Sequence, residues 1–251
     1  MRESNSQTAA EATVNGAIHA ARRIAVEPQA SFEPISSAEA SSSVSGGIQP
    51  YQGAAAIITN TNQILLVQHN RSKPNNGTGP TNNFFGYDPI LNRDPIELPS
   101  GTRIVGIFRS TNGLPSMIAP PFAIRFDPSG RLEFGAPSRQ DLNVYFDRDY
   151  DGDIDVNSSR RNGYDPDLPE NQPFEEIRLG NGQELGRFGL PFDELQTVLG
   201  VAIFQDNGAI SLVAPSGQTT LDDEAVRNIL ETARLIYFNR YTGAPVKVNQ
   251  R

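Results

Sequence analysis

Three segments of this chain repeat one design, and that repetition limits the fold more than any other feature. Residues 54–67 (AAAIITNTNQILLV), 122–134 (FAIRFDPSGRLEF) and 201–213 (VAIFQDNGAISLV) each join an apolar run to a second one through a short Asn/Asp/Gly turn. Asp127-Pro128-Ser129-Gly130 and Asp206-Asn207-Gly208 are residue types that tolerate tight-turn backbone, so they mark hairpins. A parallel pair would need a crossover of about a dozen residues or more, which such turns do not provide. A mostly antiparallel sheet built from hairpins is therefore expected. Further strands are expected at 102–109 (TRIVGIFR), 142–146 (LNVYF) and 174–179 (FEEIRL). A closing hairpin is expected over 236–248 (IYFNRYTGAPVKV), turning near Thr242-Gly243.

Two segments carry helical spacing instead. In residues 7–26, Ala10, Val14, Ala17, Ala21 and Ile24 recur every three or four positions, and Ile18 and Ala25 widen the stripe. Its residues are mostly small, so a partner surface can approach closely. Pro28 ends the helix, and Gly16 weakens it by about 1 kcal/mol relative to Ala. The second helix is expected at 221–235 (LDDEAVRNILETARL), with Ala225, Val226, Ile229, Leu230 and Ala233 on one face. The acids at its start suit the helix dipole. The fold class is α+β: an N-terminal amphipathic helix packed on a mostly antiparallel β-sheet, with a short late helix. The expected organisation is a helix over 1–27, a low-complexity loop over 28–53 around ASSSVSGG, and a β-rich globular domain over 54–251. That domain carries an Asn/Pro/Gly-rich insertion at 70–99 and an acidic loop at 147–176.

The acidic loop opens with FDRDYDGDIDVN, where Asp147, Asp149, Asp151, Asp153 and Asp155 alternate with other residues. Calcium takes six to eight oxygen ligands, and a calcium loop of the EF-hand type draws them from positions 1, 3, 5, 7, 9 and 12, with Gly at 6. Asp147, Asp149 and Asp151 fill the first three places, and Gly152 fills the sixth. The backbone carbonyl of Asp153 would serve at position 7, and Asp155 stands at 9. Position 12 is Ser158, so a closing carboxylate has to come from elsewhere, for example Asp165, Asp167 or Glu170. The flanks do not read as paired helices. The expectation is a structural calcium ion that relieves the repulsion among the aspartates and pins the loop to the sheet. The plainer alternative is a solvated acidic loop.

The net charge of −8 argues against nucleic acid as a partner. Ten acids and three arginines give residues 147–176 a charge of −7, which leaves about −1 on the rest. Cysteine is absent and there are two histidines, His19 and His69. That excludes disulfides, thiol nucleophiles and His-rich metal sites. No G-x-S-x-G elbow, H-E-x-x-H pair or phosphate-binding G-x-x-x-x-G-K-[ST] loop occurs. Ser100 in ELPSG reads as a turn residue, and the acids cluster on one loop rather than flanking a cleft. The chain is read as non-enzymatic.

The order of elements resembles type IV pilin-like proteins, and most closely the minor pseudopilins of the FimT and type II secretion H-type class. Ala20-Ala21-Arg22-Arg23-Ile24-Ala25 resembles the family's S-A-R-x-x-A segment after the membrane span, and Phe126 to Gly130 matches its F-x-x-x-G strand–turn form. IYFNRYTGAPVK resembles the closing strands of some large pilin-like proteins. The family's G-F-x-x-x-E signature and its apolar helix of about 20 residues are missing. The resemblance therefore implies a native form anchored in the inner membrane through a segment that is not in this sequence, with an extracytoplasmic location, periplasmic or at the cell surface. It implies a structural subunit of a type IV pilus-like or type II secretion pseudopilus filament. Other pilin-like subunits would be its partners, and Ala10, Val14, Ala17, Ile18, Ala21 and Ile24 would carry helix packing. Some pseudopilins use calcium in a loop of the globular domain, which agrees with the aspartate run. The competing reading is a secreted calcium-binding β-rich module for adhesion or glycan binding, with Tyr145, Tyr150 and Tyr164 near the calcium loop. Deleting residues 1–26 should spare the sheet domain under the filament reading and unfold it under the other.

Overall fold

The computed structural model describes residues 2–26, 53–59, 62–74, 85–90, 93–111, 114–134, 144–146, 177–178, 184–185, 194–206, 208, 210, 212 and 220–247. Two of the three repeated segments form the expected hairpins. β1 (Ala54–Ile58) pairs antiparallel with β2 (Gln63–Pro74), Ile58 lying opposite Ile64. Asn62 takes a φ of 62°, a left-handed conformation that Asn tolerates. β7 (Phe122–Phe126) turns into β8 (Leu132–Glu133) through a loop in which Asp127 Oδ1 accepts from the Ser129 N–H at 2.8 Å, the Ser129 hydroxyl at 2.7 Å and the Arg131 N–H at 2.9 Å.

The third segment departs from expectation. β13 (Gly200–Gln205) pairs with β5 (Thr102–Thr111) along one edge and with β14 (Arg234–Phe238) along the other, and neither Ile210 nor Leu212 belongs to a strand. Gly200–Phe204 are all buried, so β13 is a central strand whose edges go to long-range neighbours rather than to a local return. Instead, β5 forms a hairpin with β6 (Leu114–Ile118). The expected 70–99 insertion also contributes to the sheet: β2 runs on to Pro74, and β3 (Phe85–Pro89) pairs with it. The closing hairpin forms between β14 and β15 (Pro245–Lys247). Of the strand expected at 174–179, the described residues form β10 (Ile177–Arg178), which pairs antiparallel with β11 (Glu184–Leu185); 174–176 and 179 lie outside the described residues.

The fold is thus mixed, with two main sheets rather than one. The first runs in the order β12 (Glu194–Leu195), β9 (Val144–Phe146), β3, β2, β1, β7, β8, with β4 (Ile96–Glu97) beside β2. Its pairs are antiparallel except β3 with β9. This sheet closes on itself. Two residues beyond β12, Thr197 bridges Ala123 of β7, whose N–H donates to the Gln196 carbonyl at 2.9 Å and whose carbonyl accepts from the Val198 N–H at 3.0 Å. Alternate residues from all six strands of the ring fill its inside: Ala55, Ile57, Leu65, Val67, Tyr87, Ala123, Val144, Phe146 and Leu195 form one buried cluster. The second sheet has the order β15, β14, β13, β5, β6.

The helix α1 (Arg2–Val26) packs against the outer face of the ring at β1, β2 and β7 and against β5 and β13 of the second sheet. Ala10, Val14, Ala17, Ile18, Ala21 and Ala25 are buried there among Ala54, Ala56, Ile58, Phe122, Ile124, Phe126, Val201 and Ile203. Alanines on both α1 and β1 let the two backbones approach closely. The helix begins at Arg2, earlier than its apolar spacing alone indicates. The late helix α2 (Asp223–Thr232) covers the other face of the second sheet, burying Val226 and Ile229. It is shorter than expected, because Arg234 and Leu235 are drawn into β14 beside β13.

Candidate functional site at the end of the first helix

The structure brings together the three stretches that carry the pilin-like resemblance. α1 delivers Arg22 and Val26 to one end of the molecule, where the Asp127–Gly130 turn and the β14–β15 turn close over them. Arg22 Nε donates to the Gly130 carbonyl at 3.2 Å. Both turns place glycine in the left-handed region, with φ of 76° at Gly130 and 61° at Gly243. Neither position has room for a side chain. A Cβ on Gly130 would lie 2.8 Å from Val26 Cγ2, and one on Gly243 would lie 2.7 Å from Phe126 Cε1 and 2.9 Å from Arg22 Cδ. The second turn is held from within: Asn239 Oδ1 accepts from the Tyr241 N–H at 2.9 Å and the Thr242 N–H at 3.1 Å, and the Gly243 N–H donates to the Asn239 carbonyl at 2.7 Å. The Leu132 N–H donates to the Arg240 carbonyl at 3.0 Å, joining the two turns and hence the two sheets.

A second set of contacts ties down the other half of α1. Glu11 is a buried carboxylate beside the apolar stripe. Arg234 Nη1 donates to its Oε2 at 3.2 Å and to Thr8 Oγ1 at 3.0 Å, while Gln7 Nε2 donates to the Thr232 carbonyl at 3.0 Å. Pairing with Arg234 offsets the cost of burying the charge. At the end of the ring Arg125, buried in β7, lies 2.9 Å from Glu133 through Nε and Oε2, meeting as charges rather than along an aligned N–H···O axis. Its guanidinium also lies 5.9 Å from the centre of the Tyr87 ring. Burial raises the Tyr87 pKa above its usual value, and the Arg125 charge opposes the rise.

Of the stripe expected to carry helix packing, Ala10, Val14, Ala17, Ile18 and Ala21 are buried within this chain and Ile24 is half-buried. Their partners are the chain's own sheets. The opposite face, with Ala9, Ala12, Gly16 and His19, is exposed. Asp147, Asp149, Asp151, Asp153 and Asp155 lie outside the described residues, as do Tyr150 and Tyr164. Among the described residues no group of three acidic or histidine side chains is placed to hold a metal ion, and no helix is long and apolar enough to cross a membrane.

Sequence reasoning missed Glu11 and Arg125 as structural groups. The signals were present: Glu11 interrupts the small-residue face next to Ala10, and Arg125 stands at an inward position of FAIRF. Chemically, the arrangement locks a helix between two sheets at fixed height and angle. It presents no nucleophile with a general base among these contacts. No protein family, curated protein or solved structure matches this chain.

Proposed function

We propose that this chain is a structural, non-enzymatic subunit of an extracytoplasmic filament of the type IV pilus-like or type II secretion pseudopilus kind. The observation that carries the reading is the state of α1. It is fixed along its length to its own two sheets, yet it keeps an open face of small residues at Ala9, Ala12 and Gly16. Small residues let a neighbouring helix approach closely, and a rigid joint at Arg22 would transmit load from helix to sheet domain. The partners would be other pilin-like subunits meeting that open face. The aspartate run from Asp147 to Asp155 would hold a structural calcium ion.

The absence of cysteine makes the test clean. Single cysteines at Ala12 or Gly16, in the full-length protein in its native cells, should give disulfide-linked species, whereas Ala17→Cys, buried, should not. No cross-link at either exposed position would overturn the filament reading. Calcium is tested separately by thermal unfolding with calcium or with chelator. At about a hundredfold excess over Kd, binding stabilises by about 2.7 kcal/mol, and Asp149→Asn with Asp151→Asn should abolish the shift.

One observation favours the second reading, a secreted calcium-binding β-rich adhesion or glycan-binding module. Ala10, Val14, Ala17, Ile18 and Ala21 of the α1 stripe are buried against the chain's own sheets, as a closed, self-contained domain requires.

A further inference from the structure

We propose that the surface around the end of α1 is a self-association site that takes the acidic segment of a second copy of this chain. The clasp brings Arg22, Arg131 and Arg240 together beside Asp127, the one acid among the described residues of its two turns. Arg22 reaches Gly130 and Gly243, and the Leu132 N–H bond to the Arg240 carbonyl sets Arg131 and Arg240 on neighbouring stretches. Arg131 and Arg240 are exposed. Asp127 spends one carboxylate oxygen on three donors within its own turn.

A separate observation falls on the same place. The large apolar side chains exposed among the described residues are Val26 at 49%, Tyr241 at 74% and Val246 at 46%. Val26 abuts the Gly130 turn, and the other two belong to the β14–β15 hairpin. Arginine and tyrosine mixed with exposed apolar groups is the composition of protein interfaces.

Charge selects the occupant. The chain carries −8, and residues 147–176 account for −7 of it, so the charge that complements this collar is concentrated in one segment of the same sequence. Tyr241 is open in the single chain, which leaves the collar available to a second copy. The proposal stands without the filament reading.

Sedimentation velocity on the full chain in calcium-free buffer tests it. Between about 0.01 M and about 1 M ionic strength the screening length falls from about 30 Å to about 3 Å, so association should be present at the low end and lost at the high end. Arg131→Glu with Arg240→Glu should weaken it about tenfold or more, and so should Asp149→Lys with Asp151→Lys, a loss worth about 1.4 kcal/mol. Mixing the two variants should restore association, because the swapped charges are complementary again. Tyr241→Ser, a single exposed change, should weaken it too and serves if either double variant fails to fold. A chain that is monomeric at low salt would overturn the proposal, as would association that charge reversal leaves unchanged or that mixing fails to restore. Binding to anionic lipid vesicles by a monomeric chain would assign the collar to a membrane instead.

Discussion

The two helices solve the same problem in different ways. α2 is specified locally. Asp222 caps it, accepting from the Ala225 N–H at 2.7 Å, and Asp223 and Glu224 occupy its first turn. It lays one apolar face, centred on Val226 and Ile229, on one side of one sheet. α1 has a helix-weakening glycine, and its buried residues are mostly alanine. It is held because strands of two sheets enclose one face and because Glu11 is tied to Arg234 of β14 and Arg22 to the Gly130 turn, each more than a hundred residues away. A helix can thus be set by its own sequence or by the slot it fills.

The largest expected effect follows from that difference. Removing residues 2–26 takes away the surface against which Ala54, Ala56, Ile58, Phe122, Ile124, Phe126, Val201 and Ile203 are buried. The truncated chain should show no cooperative thermal transition. Ile229→Ala in α2 should cost only about 2–5 kcal/mol and leave the transition cooperative. A truncated chain that still unfolds sharply would demote α1 to an attachment and end the contrast. Because α1 is docked on both sheets, this deletion no longer separates the filament and secreted-module readings; the cysteine cross-links do.

Next in size is the clasp. Gly243→Ala places a methyl in a left-handed backbone conformation, which costs about 1–2 kcal/mol, and drives it against Phe126 and Arg22. A loss of about 2 kcal/mol or more in denaturant unfolding is expected. Gly101 also has a positive φ, 74°, but open space around its Cβ direction, so Gly101→Ala should show the conformational part alone. Equal losses at the two positions would mean that the close packing over Arg22 contributes nothing.

The contrast also explains which parts of the fold were legible. α2, the Asp127–Gly130 turn and the closing hairpin were readable because their determinants lie within a few residues of each other. The strands of 54–67 were readable for the same reason. The partner of β13 was not, since Asp206 and Gly208 signal a local return while burial on both faces decides in favour of β5 and β14. The ring closure at Thr197 and Ala123 rests on one bridge between distant residues and has no local signature. At the candidate site, Arg22, Gly130 and Gly243 each stood in a stretch that drew notice, but only the tertiary fold shows that they meet. Glu11 has no signature in the apolar periodicity, because the arginine that pairs with it lies 223 residues away.

A pair of substitutions sharpens the comparison at lower cost. Asp222→Ala removes the cap of α2 and should destabilise by about 1 kcal/mol. Gly16→Ala in α1 should do the reverse. Gly16 is exposed, with nothing within 4 Å of its Cβ direction, so the change recovers about 1 kcal/mol of helix propensity without strain. Thermal unfolding should move in opposite directions. A loss at Gly16 would show that its exposed face is less open than the single chain suggests.

The smallest effect concerns the end of β13. Arg103 Nε lies 2.7 Å from Asp206 Oδ2, and this bond holds the Asp206 carboxyl below its usual pKa, aided by the Gly208 N–H and opposed by slight burial. A folded-state pKa below the unfolded value, about 4, means that the carboxylate stabilises the fold above that pH and that the contribution disappears as pH falls through the folded pKa. Both side chains are at least a third exposed, so solvent screening limits the pair to about 0.2–1 kcal/mol. Asp206→Asn keeps an oxygen to accept from the Gly208 N–H at 3.3 Å and removes the charge and the oxygen that meet Arg103. At pH 7 the variant should therefore unfold slightly earlier than the parent, and the gap should shrink to nothing at a pH well below the carboxylate range. A gap that persists in acid would assign the contribution to the shape of the turn rather than to the ion pair. The edge of β13 would then be held, like the turns over α1, by backbone fit.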